Sequence, residues 1–96
     1  MSLQRIVKMT FEADRCQDFE EKFETIKDLI AGQEGCLGVR LLKEQTGSGV
    51  YFTYSEWESE ADLNAYRKSD LFGEVWPTVK AWFKEKPEAW STQLIN

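Results

Sequence analysis

Two apolar stretches that favour β-structure flank a short glycine-containing turn in the middle of the chain. The first stretch, at residues 35–45, reads GCLGVRLLKEQ, and the second, at residues 50–57, reads VYFTYSEW; TGSG lies between them. Because glycine tolerates positive φ, such a turn reverses the chain between neighbouring strands. The pattern predicts an antiparallel hairpin, against which every other element of the fold has to pack.

A strand and a long amphipathic helix are predicted before the hairpin. Residues 3–11, LQRIVKMTF, alternate in the way that is typical of a strand. Asp14 and Gln17 have the spacing of a capping box, and Gly32 is a typical helix end. Between these signals the apolar residues recur at helical spacing: Phe19, Phe23, Ile26, Leu29 and Ile30.

Two shorter helical segments and a last strand are predicted after the hairpin. Ser59 and Ser69 each have the side chain that caps a helix start. Pro77 lies inside the second segment, where its missing N–H predicts a kink or a break. Lys84–Pro87 is predicted to form a turn, and EAWSTQLI, from Glu88, alternates as the final strand.

The order of these elements is β-α-β-β-α-β, with the second helix split. This order is typical of the α+β ferredoxin-like fold, a four-stranded antiparallel sheet with its helices on one face. The 96 residues are predicted to form one domain, residues 1–96.

Both faces of the predicted sheet are too apolar to lie against water. In the third strand, Val50, Phe52 and Tyr54 alternate with Tyr51, Thr53 and Trp57. In the second strand, we assign Cys36 and Leu42 to one side and Leu37, Val39 and Leu41 to the other. A sheet that is apolar on both faces needs a second cover, so we expect a homodimer packed sheet to sheet.

The charge and hydropathy of the chain exclude several classes of partner. A net charge of -5 gives no basic surface to neutralise phosphates, so no nucleic-acid partner is expected. No apolar run approaches the roughly 20 residues that span a bilayer, so no membrane partner is expected. No apolar leader segment follows Met1, and the expected location is the cytoplasm.

The sequence contains no histidine, and its two cysteines, Cys16 and Cys36, lack metal-binding spacing. This excludes histidine-based catalytic triads and histidine-ligated metal or heme, and it disfavours a zinc site. We therefore expect no metal.

Several segments share a pattern with a known family: the long helix FEEKFETIKDLI, the apolar run EGCLGVRLL, the strand end YSEWES, the Ala- and Leu-rich helix after it, and SDLF. Through them the chain resembles the antibiotic biosynthesis monooxygenase (ABM) superfamily of dimeric α+β barrels. The resemblance covers nearly the whole chain, from Leu3 to Ile95. Its motifs are more specific for the fold than for a substrate, because this fold hosts several chemistries.

The resemblance implies a cofactor-independent oxygenase. Some members of the family oxidise polyaromatic phenols or quinols to quinones, and others bind and cleave heme. Many members have a histidine in the second helix, where this chain has Tyr66. The heme-cleaving members have their axial histidine where this chain has Trp76. The resemblance therefore points to an aromatic, metal-free site.

The candidate catalytic residues are Trp57, Tyr66 and Glu56. The Tyr66 hydroxyl could donate a hydrogen bond to a phenolate or quinone oxygen, and the Glu56 carboxylate could accept a phenolic proton. Each has a structural alternative. Trp57 could be a core indole whose N–H needs a partner, Tyr66 a half-buried core tyrosine, and Glu56 part of a cap or a salt bridge.

The candidate substrate-binding residues are Tyr54, Phe72, Trp76 and Arg40. Aromatic side chains would suit a flat aromatic substrate, and an arginine would stabilise an anionic intermediate. The alternative places Phe72 and Trp76 in the core and at the rim of a dimer, and Arg40 at the surface or the interface.

Two hypotheses of different classes follow. The first is a monooxygenase that acts on an aromatic or quinol-type small molecule without metal or flavin. The alternative is a non-catalytic dimer of the same fold that binds a small ligand or serves in stress. Heme binding or degradation is a third hypothesis, and no histidine supports it.

Overall fold

A computed structural model describes residues 2–96 of the chain. The elements are β1 (Leu3–Phe11), α1 (Cys16–Ala31), β2 (Cys36–Lys43), β3 (Val50–Trp57), α2 (Glu60–Arg67), α3 (Asp70–Lys80) and β4 (Phe83–Thr92). The strands form one antiparallel sheet in the order β2-β3-β1-β4. This confirms the predicted α+β ferredoxin-like fold.

The predicted hairpin is formed by β2 and β3, and its turn is built on one carboxylate. Glu44 accepts hydrogen bonds from the Thr46 backbone N–H at 3.0 Å and from the Ser48 hydroxyl at 2.7 Å. Hydrogen bonds from the Thr46 and Ser48 side chains lower the pKa of Glu44 to about 2. Gly47 and Gly49 have φ of 80° and 85°, which explains the two glycines of the turn.

Replacing Gly49 with alanine is expected to destabilise the fold more than replacing Gly47. A Cβ at Gly49 would lie 2.7 Å from the Phe11 carbonyl oxygen, whereas a Cβ at Gly47 has no neighbour within 4 Å. Both changes incur the cost of positive φ, about 1–2 kcal/mol, and only Gly49→Ala adds the clash. Urea unfolding of both variants measures the difference. If both variants lose the same free energy of unfolding, β1 and the turn move apart without an energetic cost and the prediction is wrong.

The first long helix begins later than its predicted cap. Asp14 lies in a 3-10 turn, Ala13–Arg15, and α1 starts at Cys16 without a side-chain cap hydrogen bond. The predicted capping box is therefore wrong, because the extra turn places Arg15 instead of Asp14 at the cap position. The predicted end is confirmed: the Gly32 N–H donates to the Asp28 carbonyl at 2.9 Å.

Both later helices have the serine caps that the sequence predicts. The Ser59 hydroxyl accepts from the Asp62 N–H at 3.1 Å, and the Ser69 hydroxyl accepts from the Phe72 N–H at 3.2 Å. The predicted break at Pro77 is wrong, because α3 continues through it to Lys80. Within residues 2–96, no helix combines the length and the apolar character that crossing a membrane would require.

The last strand both begins and ends earlier than predicted, at Phe83 and Thr92. Lys84–Pro87 is not a turn but belongs to β4, which pairs with β1 from Phe83 onward. The pairing passes from Lys8↔Glu88 to Thr10↔Glu85, so the register shifts there. Proline has no N–H for the ladder and is tolerated at such irregularities on an edge strand.

The core lies between the helices and one face of the sheet. Its buried cluster consists of Met9, Phe11, Phe19, Phe23, Tyr51 and Val79. The α1 residues predicted to face the core are buried except Leu29, which is 55% exposed. Tyr51 is fully buried because its ring packs in this cluster while its hydroxyl donates to the Glu20 carboxylate.

The other face of the sheet, which we call the open face, carries apolar side chains without a helix over them. Residues paired across the strands share a face, so the register places Arg40, Tyr54, Ile6 and Trp90 in one row. Leu42, Tyr54 and Trp90 are 51%, 36% and 45% exposed.

One part of the predicted face assignment is wrong. Cys36 pairs with Trp57, on the helix side of the sheet, whereas Leu42 pairs with Phe52 on the open face. The cause is a register shift between Cys36 and Gly38, which breaks the alternation in β2.

Candidate functional site

Four aromatic side chains of β3, α2 and α3 form a continuous row on the helix side of the sheet, which we call the aromatic row. Trp57 stacks on Tyr66 with ring centroids 5.2 Å apart, and Tyr66 meets the edge of Phe72 at 5.4 Å. Phe72 then stacks on Trp76 at 5.5 Å. The two serine caps set this row, since they fix where α2 and α3 begin relative to β3.

Trp57 is the buried end of the aromatic row. Its side chain is fully buried, and its indole N–H donates to the Ser55 hydroxyl at 2.9 Å. The hydrogen bond supplies the partner that a buried indole needs. Trp57 therefore supports the ring of Tyr66 from behind.

A cavity of about 300 Å³ lies between the helices and the sheet, beside the aromatic row. Tyr66, Phe72 and Trp76 line it, together with Phe23, Ile26 and Ile30 of α1 and Val7 and Met9 of β1. This wall is mostly apolar, which is typical of sites for small organic ligands.

A few polar groups enter the cavity wall: Arg5, Thr53, Ser55, Tyr66 and Arg67. Burial, with a smaller contribution from the Cys36 thiol, raises the pKa of Tyr66 to about 12. Tyr66 is therefore a neutral phenol at physiological pH and can donate a hydrogen bond. Among residues 2–96, no aspartate or glutamate lines this cavity.

The structure separates the sequence-predicted site residues into two groups. Tyr66, Phe72 and Trp76 meet at the cavity, with Trp57 behind them, whereas Glu56, Tyr54 and Arg40 belong to the open face. The Glu56 carboxylate accepts hydrogen bonds from Ser2 at 2.8 Å and Gln4 at 3.2 Å. Because neighbours in a strand point to opposite faces, a ligand in the cavity cannot contact Glu56 of the same protomer.

Sequence reasoning missed the two arginines of the cavity. Arg5 could have been found, because it occupies an inward position of β1 whose neighbours in the alternation, Leu3 and Val7, are apolar. Arg67 gave no signal, since it is the last residue of α2 and reads as a solvated helix end.

The cysteines and carboxylates show no metal-binding arrangement in the described part of the chain. Within residues 2–96, no group of three or more such side chains could hold a metal ion. Cys16 and Cys36 are free thiols, and burial raises the pKa of Cys36, so that thiol is protonated at neutral pH.

Comparison with known proteins places this architecture among solved relatives. A "putative antibiotic biosynthesis monooxygenase" from Bordetella bronchiseptica superposes with a TM-score of 0.88 at 25% identity, covering 99% of this chain and 98% of that one. A mutant of SnoaB, a cofactor-independent oxygenase from Streptomyces nogalater, superposes with a TM-score of 0.87 at 16% identity, covering 99% and 94%. The second likeness shows the fold alone.

A curated relative matches part of the chain. It is a "putative heme-binding protein" of Haloarcula marismortui, 32% identical over 66 residues, which are 69% of this chain. The matched segment spans 10% of that protein's length.

The family model of the antibiotic biosynthesis monooxygenases matches residues 3–83, most of the sequence and all of the elements from β1 through α3. With the fold, the sheet order and this match in agreement, the chain belongs to the antibiotic biosynthesis monooxygenase family.

Proposed function

We propose that this protein is a cofactor-independent monooxygenase that oxidises an aromatic or quinol-type small molecule in the cavity beside Tyr66. The observation that carries the proposal is the cavity itself, an apolar space of about 300 Å³ walled by aromatic rings and holding a neutral phenol. Membership of the family, some of whose solved structures are oxygenases, supports it.

In this reaction the protein has two main roles: it positions the substrate and it stabilises the negative charge. An ionised phenol or quinol gives one electron to O2, and the two radicals combine at a ring carbon. Loss of water then leaves a quinone, so that one oxygen atom enters the ring and the other leaves as water. The substrate provides the electrons for both steps. A dry pocket favours this sequence because it strengthens the electrostatic contacts to the anion.

Each wall residue has a distinct part in this proposal. The Tyr66 hydroxyl, which has no hydrogen-bond partner within residues 2–96, donates to the developing oxyanion. Phe72 and Trp76 hold the flat ring of the substrate, and Trp57 positions Tyr66. The Glu56 carboxylate has no part within the protomer, so the substrate must lose its proton to solvent or to a partner subunit.

The proposed enzyme is a homodimer that buries the open face. Exposed Leu42, Tyr54 and Trp90 lie across this face of the sheet. A second copy is the cover that matches such a face by symmetry. Tyr54 and Arg40 then contribute to the interface.

Replacing Tyr66 with phenylalanine is expected to lower the turnover of a naphthol or hydroquinone by about tenfold or more, because one oxyanion donor is lost. Oxygen consumption over the enzyme-free blank measures it. Tyr51→Phe is the matched control, since it removes the same atom from a tyrosine outside the cavity wall. We expect that control to turn over as the wild type does.

The outcomes separate the hypotheses. Equal turnover of Tyr66→Phe and the wild type would contradict the site assignment. Thermal stabilisation by an aromatic ligand without product would favour the non-catalytic binding protein. A hemin titration tests the heme alternative suggested by the Haloarcula marismortui relative. With no histidine to serve as axial ligand, we expect no Soret shift.

A further inference from the structure

The charge of the cavity wall is opposite in sign to the net charge of the chain. The sequence has 17 aspartates and glutamates against 12 lysines and arginines. In the described part of the chain, the wall of the cavity nevertheless contains Arg5 and Arg67 and no carboxylate. Positive charge is therefore concentrated at this apolar space in a protein that is otherwise acidic.

The described part of the chain does not neutralise either arginine. Within residues 2–96, the ion pairs are Lys8–Glu88, Arg15–Asp18, Lys27–Glu24 and Lys43–Glu20, so Arg5 and Arg67 have none. The Arg5 Nη1 donates to the Ser91 hydroxyl at 3.0 Å, which leaves other guanidinium donors available.

The environment of the two arginines makes an anion favourable beside them. Arg5 is half-buried, and Arg67 is exposed at the end of α2, where the cavity meets solvent. Burial and the charge of Arg67 lower the pKa of Arg5, yet a guanidinium stays protonated in proteins. Two neighbouring cations against an apolar wall attract a negative group, and guanidinium donors form strong charge-assisted hydrogen bonds with oxyanions.

We propose that the cavity selects an aromatic oxyanion, whose ring lies against Tyr66, Phe72 and Trp76 while Arg5 and Arg67 hold its negative oxygen group. The group is a carboxylate or an ionised phenol, which share this chemistry. The link to turnover rests on the proposed function, and the binding preference does not. When the group is a phenol, the two positive charges also favour loss of its proton to solvent, which would replace the carboxylate base that the described cavity wall lacks.

Matched probe pairs test the proposal on the intact chain. The first pair is 2-naphthoate and its neutral methyl ester, and the second is 4-nitrophenolate and 4-nitroanisole. Calorimetric titration at low salt is expected to show roughly tenfold tighter binding of the anion in at least one pair. The pair with the larger ratio identifies the oxygen group. Added salt reduces the ratio, because the positive charge at the mouth is screened.

Charge variants locate the effect. Arg67→Gln and Arg5→Gln are each expected to weaken binding of the anion about fivefold or more and to leave the neutral probe unchanged. Arg67→Lys, which keeps the charge, should retain part of the preference. Lys68→Gln is the matched control, because it removes one positive charge beside Arg67 from a residue outside the cavity wall.

Two results would overturn the proposal. One is equal binding of both members of each pair by the wild type. The other is a loss in Lys68→Gln as large as that in Arg67→Gln, which would show only the net charge of the protein. These measurements also distinguish failure of the binding proposal from failure of the proposed oxygenase activity. Anion preference without turnover would contradict the activity and support the anion site. Turnover without anion preference would contradict the anion site and support the oxygenase activity.

Discussion

Replacing Trp57 with alanine is expected to lower the free energy of unfolding by about 3–5 kcal/mol, the range for removing a fully buried large aromatic side chain. Trp57 is 0% exposed and stacks on Tyr66 with centroids 5.2 Å apart. Its loss removes this contact and leaves a void behind the aromatic row. Since domains of this size have about 5–15 kcal/mol of stability, the variant would be near its folding limit.

Two further variants separate packing from hydrogen bonding at Trp57. Ser55→Ala removes the acceptor of the indole N–H and is expected to cost about 1–3 kcal/mol, because a buried donor loses its partner. Trp57→Phe keeps a ring against Tyr66 and should cost less than Trp57→Ala. Urea unfolding measures all three. A cost for Trp57→Ala below that of Ser55→Ala would contradict the packing role.

The expected loss of stability in Trp57→Ala determines how the activity of that variant should be interpreted. Loss of turnover in Trp57→Ala would follow from unfolding alone, whereas Tyr66→Phe removes one oxygen atom and keeps the stacked ring. The Tyr66 variant is therefore the informative one for chemistry, although the sequence names both residues as catalytic candidates.

Charge on the open face is expected to turn the proposed dimer into a monomer. The double variant Leu42→Glu, Trp90→Glu places two carboxylates on apolar positions that are 51% and 45% exposed in the protomer. Each change occurs twice in a two-fold interface, so we expect the dissociation constant to rise about 100-fold or more. Light scattering after gel filtration should give a mass of twice 11.2 kDa for the wild type and once that for the variant.

The matched control for the open face lies on the first helix. Leu29 is 55% exposed on α1, so Leu29→Glu adds the same charge away from the open face. It should leave the mass of the dimer unchanged. Because all of these side chains are exposed in the protomer, their substitution should alter its own stability by only about 0.5 kcal/mol. A monomeric wild type, or a dimer that survives the double variant, would contradict sheet-to-sheet association.

The two groups of candidate residues acquire different meanings once the sheet is formed. Glu56 and Trp57 are consecutive in sequence, yet one lies on the open face and the other under the helices. If the open face is a dimer interface, Tyr54 and Arg40 belong to assembly and Tyr66 belongs to the cavity. Residues that lie close together in the sequence thus belong to two different surfaces, the open face and the cavity wall.

Much of the fold followed from local patterns whose physical causes are short-range. Alternation predicted the strands, the serines at 59 and 69 predicted two helix starts, and the glycines of the turn predicted the hairpin. The errors arose where tertiary contacts override local preference. Lys84–Pro87 extends in β4 because β1 pairs with it, although its composition is typical of a turn.

The sequence by itself determined the order of the elements, the amphipathic character of the helices, the absence of histidine and the aromatic residues available for a site. Only the tertiary structure decided which of those residues meet. A register shift in β2 sent Cys36 to the side of Trp57, and the packing of α2 and α3 on the sheet opened the cavity that joins Tyr66 to Arg5. The physical reason is that a side chain's face depends on strand register, while a cavity depends on how separate elements pack, and neither is encoded in the spacing of neighbouring residues.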